Sequence, residues 1–328
     1  MLVILADGKS LKGETYEIEE KFFADRGIEF RIEDCMTEEK VIEKCKDADA
    51  ILSVYAPITE KVISQLNNCK ALVRYGIGFD NIDINAATKF GIPACNIPDY
   101  SIPEVATHTI AMLLQFERKL GILDKSVKQG EWNPNLGFES TRLSSLTLGL
   151  VGFGNIAQQT ADYAKVFGMN LLTYDPFISD EVLEEKGVQR VELTELLEGA
   201  DYVSLHVPLN DGTHHLINED SLKRMKKSAV VLNTARGPII EQDALVQALK
   251  TGEIRGACLD VLENEPAKLG DEILELDNVL ITPHAAFNSK QASARLHTRV
   301  AETAYDLLSG KVPTNIVNKD VIATLAIK

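Results

Sequence analysis

No two cysteines in this chain are spaced as Cys-x-x-Cys. The five thiols, Cys35, Cys45, Cys69, Cys95 and Cys258, are scattered, which fits no zinc motif and points to reduced, mostly buried thiols of a cytoplasmic protein. Aromatic residues are sparse at 6%, with a single tryptophan, Trp132; its ring suits a dimer arm or a core position better than a substrate contact. Positive charge is also short: 34 Lys and Arg face 49 Asp and Glu, a net charge of −15. Such a field repels phosphate backbones and anionic lipid, so nucleic acid and membrane are excluded as partners. A small anionic substrate would then need a local cation. No stretch approaches the roughly 20 apolar residues that span a bilayer. The N-terminus, MLVILADG, has neither a basic leader nor a cleavage site and reads as a first strand, not a signal peptide. Low-complexity segments and solenoid repeats are missing too.

What is present is an ordinary globular composition, 45% hydrophobic and 25% charged over 328 residues, long enough for two domains. Short apolar runs alternate with amphipathic stretches. Leu2–Ala6, Ala50–Val54, Ala71–Tyr75 and Ile92–Cys95 read as strands, separated by helices over Glu14–Arg26, Glu38–Lys46, Glu60–Leu66 and Ile84–Phe90. Two prolines in NIPDYSIP then break the pattern. A long helix follows from Pro103 to about Leu120, with proline in its first turn, where a missing N–H costs little. A second series begins after it. Its strands are Thr147–Val151, Asn170–Tyr174, Tyr202–Leu205, Ala229–Asn233, Gly256–Leu259 and Val279–Ile281. Helices fall over Ile156–Phe167, Glu181–Lys186, Glu219–Met225 and Asp243–Lys250, and a last one runs from Ser289 to Leu308. Strand–helix alternation implies parallel sheets with helices on both faces. The fold class is therefore α/β with two doubly wound parallel-sheet domains. A Rossmann coenzyme domain, residues 100–285, is inserted in a flavodoxin-like substrate domain, 1–99 and 286–328.

The strongest local signal is TLGLVGFGNIAQQTADYAKVFGMNLLTYD. An apolar strand ends at Val151 and a helix opens at once. Gly152 permits a tight turn, Gly154 lets a pyrophosphate approach the backbone, and Ala157 takes the third small position. Phe153, Asn155 and Ile156 complete the turn, whose helix N-terminus offers free N–H groups to phosphates. Asp175 ends the next strand. A carboxylate there accepts ribose hydroxyls and repels a 2′-phosphate, so the expected cofactor is NAD and not NADP.

Three further segments, NTARGPII, ENEP and ITPHAAF, each follow a strand, where ligands meet an open α/β sheet. Together with LVRYGIGFDNID, PEVATHTIAMLL, LGLVGFGNIA and HVPLNDGTHHLI they stand in the order found in the D-isomer-specific 2-hydroxyacid dehydrogenases, and the chain resembles that family over nearly its whole length. The resemblance implies two similar domains, an NAD site in the cleft, and a homodimer made through the coenzyme domains. By that pattern Arg236, Glu265 and His284 match the catalytic Arg, Glu and His. The chemistry agrees. A guanidinium can hold a keto acid's carboxylate and polarise its carbonyl, and so meets the need for a local cation. An imidazole can give the alkoxide its proton and take it back. A carboxylate on the other ring nitrogen orients that imidazole. Hydride comes from the nicotinamide, so no nucleophile and no metal is required.

Other positions follow. The turn Tyr75-Gly76-Ile77-Gly78 would offer backbone N–H groups to the substrate carboxylate, and Tyr55 would face the substrate. Thr107 matches a cofactor contact on the long helix. His206, Val207 and Pro208, with Thr213, should flank the adenosine ribose and pyrophosphate. Thr234, Ala235 and Asp260 should approach the nicotinamide, Asp260 through its carboxamide, and Ala286 should also contact the cofactor. His206, His214 and His215 have no accompanying cluster of carboxylates or thiols and are not read as metal ligands. The loop around Tyr55 carries no Lys or Arg, and the chain stops soon after its last helix; both count against a regulated phosphoglycerate dehydrogenase. The expectation is thus a 2-keto acid reductase. The alternative is an NADH-sensing co-repressor-like binding protein of the same fold, since fold alone does not fix function.

Overall fold

A computed structural model describes residues 1–11, 13–136 and 140–325. The chain divides into two compact units, Met1–Tyr100 with Ser289–Lys328, and Ser101–Asn288. The last three residues of the expected substrate domain lie outside the described residues.

In the first unit five strands, β1 (Leu2–Leu5), β2 (Glu29–Ile32), β3 (Ala50–Ser53), β4 (Ala71–Arg74) and β5 (Ala94–Cys95), form one sheet in the order β2-β1-β3-β4-β5. All pairs are parallel. This is the flavodoxin-like order, with the switch of direction between β1 and β3. β3 is buried along its length, and β1 and β4 nearly so, as strands covered on both faces must be. β2 was not anticipated, because it is an edge strand with exposed Glu29 and Arg31 and no apolar run. The helix Lys290–Leu308 packs on β3, β4 and the helix Glu17–Ala24. The latter starts three residues later than its pattern suggests.

The second unit holds seven parallel strands: β6 (Thr147–Val151), β7 (Asn170–Tyr174), β8 (Gln189–Arg190), β9 (Tyr202–Leu205), β10 (Val230–Asn233), β11 (Gly256–Leu259) and β12 (Val279–Ile281). Their order is β12-β11-β10-β9-β6-β7-β8, a dinucleotide-binding sheet extended by one strand. The extension is β12, and the strand not anticipated from the sequence, β8, is a two-residue exposed edge. The expected long helix runs Ile102–Arg118 and buries Val105, Ala106, Thr109, Ile110, Met112 and Leu113 along one face. It ends because Lys119 adopts a left-handed backbone, φ 55°, and a second helix, Leu120–Lys128, begins there. Buried Glu117 anchors this end: its Oε2 accepts from Tyr202 at 2.5 Å and from Arg255 at 2.7 Å. Among the described residues no helix is long and apolar enough to cross a membrane.

Candidate active site

The turn after β6 is built for a dinucleotide. Gly152 has φ 88°, and a Cβ on it would stand 2.9 Å from Val207 Cγ1 and 3.0 Å from the His206 main chain. Only glycine fits that approach. At Gly154 the equivalent direction is open space. Gly154 opens the helix Asn155–Val166 with no side chain capping its first amides, so these N–H groups are available to an anion. Ala157 is fully buried against the sheet.

Asp175, beyond the end of β7, braces this turn. Its Oδ2 accepts from Phe153 N at 2.7 Å, and its Oδ1 from Phe177 N at 2.8 Å and Ile178 N at 3.2 Å. Three donors fill most of the four acceptor sites of a carboxylate. Limited capacity remains for ribose hydroxyls. His206, at the end of β9, is bonded through Nε2 to Ser204 Oγ at 2.9 Å, and burial pushes its imidazole down to about 4. Thr213 is turned into its own loop, its hydroxyl donating to Pro208 O at 2.5 Å.

The three residues expected to do chemistry sit in loops after β10, β11 and β12. His284 Nδ1 lies 2.7 Å from Glu265 Oε2. Glu265 Oε1 accepts from Leu262 N at 2.9 Å. Burial raises the Glu265 carboxyl, but the hydrogen bond and charge of His284, the Leu262 N–H and the Arg236 charge outweigh it and hold it below the usual carboxylate range. Arg236 follows a turn clamped by buried Asn233, whose Oδ1 accepts from Ala235 N at 3.0 Å and whose Nδ2 donates to Arg236 O at 2.9 Å. Next to it, Gly237 lies so close to Leu262 and Glu263 that a Cβ would overlap their main chain. The Arg236 loop and the Glu265 loop are thereby held in register.

His284 itself has φ 52°, a left-handed backbone uncommon outside glycine. Asp260 surrounds it. The Asp260 carbonyl accepts from His284 N at 2.7 Å. Its Oδ1 accepts from Thr282 Oγ1 at 2.5 Å and Ala285 N at 2.8 Å, and its Oδ2 from Ala286 N at 2.9 Å. The side chain is 1% exposed. Asp260, expected at the nicotinamide carboxamide, is engaged through both oxygens in holding the His284 loop.

Thr107 and Ala286 line a cavity of about 340 Å³ with Pro103, Glu104, His108 and Ala285. The preceding strand end, Thr234, meets the same helix: Thr234 Oγ1 is 2.9 Å from Thr109 Oγ1. His214 and His215 stack with ring centroids 3.9 Å apart, and His215 Nε2 meets Glu263 Oε1 at 2.7 Å. Among the described residues no group of three or more His, Cys, Asp or Glu is arranged to hold a metal.

In the other unit, Tyr55 is 47% exposed. Its N–H and those of Val54 and Ala56 all donate to fully buried Asp7, at 2.5, 3.0 and 2.8 Å. Gly76 has φ 134° and packs against the Arg74 guanidinium. The sequence reading named neither Asp7, Asn233 nor His108. A polar residue at the end of an apolar strand, or three polar residues in a row on an apolar helix, is the only signal that could have singled them out.

Comparison with known proteins agrees with this geometry. The profile of the D-isomer specific 2-hydroxyacid dehydrogenase NAD binding domain matches residues 110–286. The D-3-phosphoglycerate dehydrogenase of Methanocaldococcus jannaschii is 42% identical over 285 residues, which are 86% of this chain and 54% of that enzyme. The chain thus spans about half the length of that relative. The glyoxylate reductase of Korarchaeum cryptofilum is 39% identical over 289 residues, 86% of each chain. The D-lactate dehydrogenase of Aquifex aeolicus, solved with NAD and lactic acid, superposes with a TM-score of 0.87 at 32% identity, over 97% of this chain and 99% of that one. The glycine turn, uncapped helix and terminal carboxylate fit NAD, which is this domain's cofactor. Motif order, sheet order and relatives converge, and the chain belongs to the D-isomer specific 2-hydroxyacid dehydrogenase family.

Proposed function

We propose that this chain is an NAD-dependent oxidoreductase that interconverts a small 2-keto acid and its D-2-hydroxy acid. The observation that carries the reading is the 2.7 Å contact between His284 Nδ1 and Glu265 Oε2, beside the Arg236 charge felt at the same carboxylate. With Nδ1 engaged, Nε2 is the ring nitrogen left to hold or release a proton at the substrate oxygen. Glu265 keeps the ring oriented and stabilises it when charged. Arg236 is permanently charged and holds the carboxylate while drawing electron density from the carbonyl. NAD, when bound, supplies the hydride acceptor or donor.

The cofactor would be held by Gly152, Phe153, Gly154, Asn155, Ile156 and Asp175, with further contacts from the His206–Pro208 segment, Thr107, Thr234, Ala235 and Ala286. Tyr55, Gly76, Ile77 and Gly78 belong to the substrate side of this reading. Among the described residues the Ile77 and Gly78 N–H groups make no hydrogen bond, which suits an anion nest, and Arg74 adds a cation beside it. None of the relatives described above is named as a co-repressor.

Steady-state oxidation of NADH, with NADPH in parallel, tests the reading against glyoxylate, hydroxypyruvate, pyruvate, bulkier 2-keto acids and a phosphorylated three-carbon keto acid. Turnover with at least one member, and a preference for NADH, is expected. Demonstrated NADH binding with no turnover on any member would discard it.

A further inference from the structure

His108 has no part in the roles assigned above, yet it is joined to the loop that carries the proposed acid–base histidine. It lies on the helix Ile102–Arg118 and lines the cavity that also contains Thr107, Ala285 and Ala286. Its Nε2 is 3.0 Å from Thr282 Oγ1 and 3.6 Å from Asp260 Oδ1. The direction of these bonds can be worked out. A threonine hydroxyl has one proton. Asp260 Oδ1 is a carboxylate oxygen 2.5 Å from Thr282 Oγ1 and accepts the hydrogen bond that proton makes. Thr282 Oγ1 can then only accept from His108, so the His108 proton sits on Nε2. The result is a one-way chain: His108 Nε2–H to Thr282, and Thr282 O–H to Asp260. Asp260 in turn receives the N–H groups of Ala285 and Ala286, and its carbonyl receives that of His284.

The chain matters because His284 is strained. A non-glycine residue at φ 52° is held there only where its surroundings over-determine it. Thr282 and Ala285 flank the strained residue on either side, and both are tied to the same Asp260 oxygen. Asp260 is fully buried, whereas His108 is one quarter exposed. His108 therefore closes the outer end of the network and keeps the Thr282 hydroxyl aimed inward.

We propose that His108 is a positioning residue. Through Thr282 and Asp260 it holds His284 in the orientation that meets Glu265, and so sets turnover without touching the reacting atoms. The proposal rests on the reading that His284 is the acid–base group.

The test compares His108→Phe, His108→Gln, Thr282→Val and the double variant His108→Phe/Thr282→Val, with His284→Ala as reference, on the full chain. NADH affinity, melting temperature and the pH dependence of kcat and KM are measured for each. The expected result is a fall in kcat of about 10-fold for His108→Phe, with KM and NADH affinity changed less than about 2-fold. His108→Gln retains a donor and should recover most of the loss. The double variant should be no worse than Thr282→Val alone, since both break one chain. Additive losses in the double variant, a wild-type kcat in His108→Phe, or losses in kcat that track melting temperature without rescue by Gln would each overturn the proposal. If His284→Ala keeps wild-type turnover, the acid–base reading itself fails. If His284→Ala is inactive and His108→Phe is not impaired, the positioning role alone fails.

Discussion

Gly237 stands between a permanently charged side chain and the backbone of a neighbouring loop. It is buried, and any side chain there would drive into the main chain of Leu262 and Glu263. Backbone cannot yield as a flexible side chain can, so the Arg236 loop would have to retreat from the Glu265 loop. Displacement of a catalytic group by about 1 Å can lower rate roughly 100-fold. Gly237→Ala should therefore lower kcat/KM for the best keto acid by at least about 10-fold while NADH binding, followed by fluorescence titration, stays near the wild-type value. Unchanged kinetics would mean that the loops are not held in register by this contact. Asn233 works on the same turn from the other side, through its bonds to Ala235 and Arg236.

At the level of elements, two histidines give opposite pH dependences to the segments they pin. His206 terminates β9, and burial holds its folded value at about 4, below the ordinary 6.5. The unfolded chain binds the proton more readily between those values. The stabilising contribution is thus complete above about 6.5 and is lost as pH falls toward 4. His297, on the helix Lys290–Leu308, behaves the other way. Burial would lower it, but the Glu19 carboxylate at 2.6 Å, with Glu14 beyond, outweighs burial and raises it. Its contribution is present below about 6.5 and fades as pH climbs through the raised value. Replacing His206 with Gln should therefore shrink the stability lost between pH 7.5 and pH 5 by on the order of 1 kcal/mol, after allowing for its partial exposure. Urea unfolding at the two pH values gives this directly. An equal loss in variant and parent would show that the His206 ring is not kept neutral by the fold.

On the scale of the whole molecule, the acidic surface carries one apolar feature that stands out. Leu120, Ile122, Val127 and Trp132 are 56%, 46%, 48% and 87% exposed, all on the segment that follows the long helix of the coenzyme unit. Exposed apolar side chains this close along one segment of a charged protein would be covered if two copies paired there. The expected outcome of sedimentation velocity is a dimer, and Trp132→Glu together with Leu120→Glu should shift it to monomer without altering the circular dichroism spectrum. A monomeric parent at micromolar concentration would contradict this assembly. The net charge of −15 acts over the same scale, so a small anionic substrate would depend on local cations to offset it.

The strands of both sheet interiors, the glycine turn with its helix, and the loop positions of Arg236, Glu265 and His284 beyond strand ends could be read from residue order alone. Interior parallel strands are continuous apolar runs, and a phosphate turn needs glycines at fixed spacing, so each leaves its trace within a few neighbouring residues. β2 and β8 left no such trace, because an edge strand need not be apolar. Nor could the sequence reveal that Asp260 spends both oxygens on the His284 loop, that Asp175 braces its own turn, or that His108 reaches Thr282 beyond the end of β12. Those contacts join residues separated by up to 174 positions. They depend on where a buried lone pair finds its donor, and only the packed structure determines that.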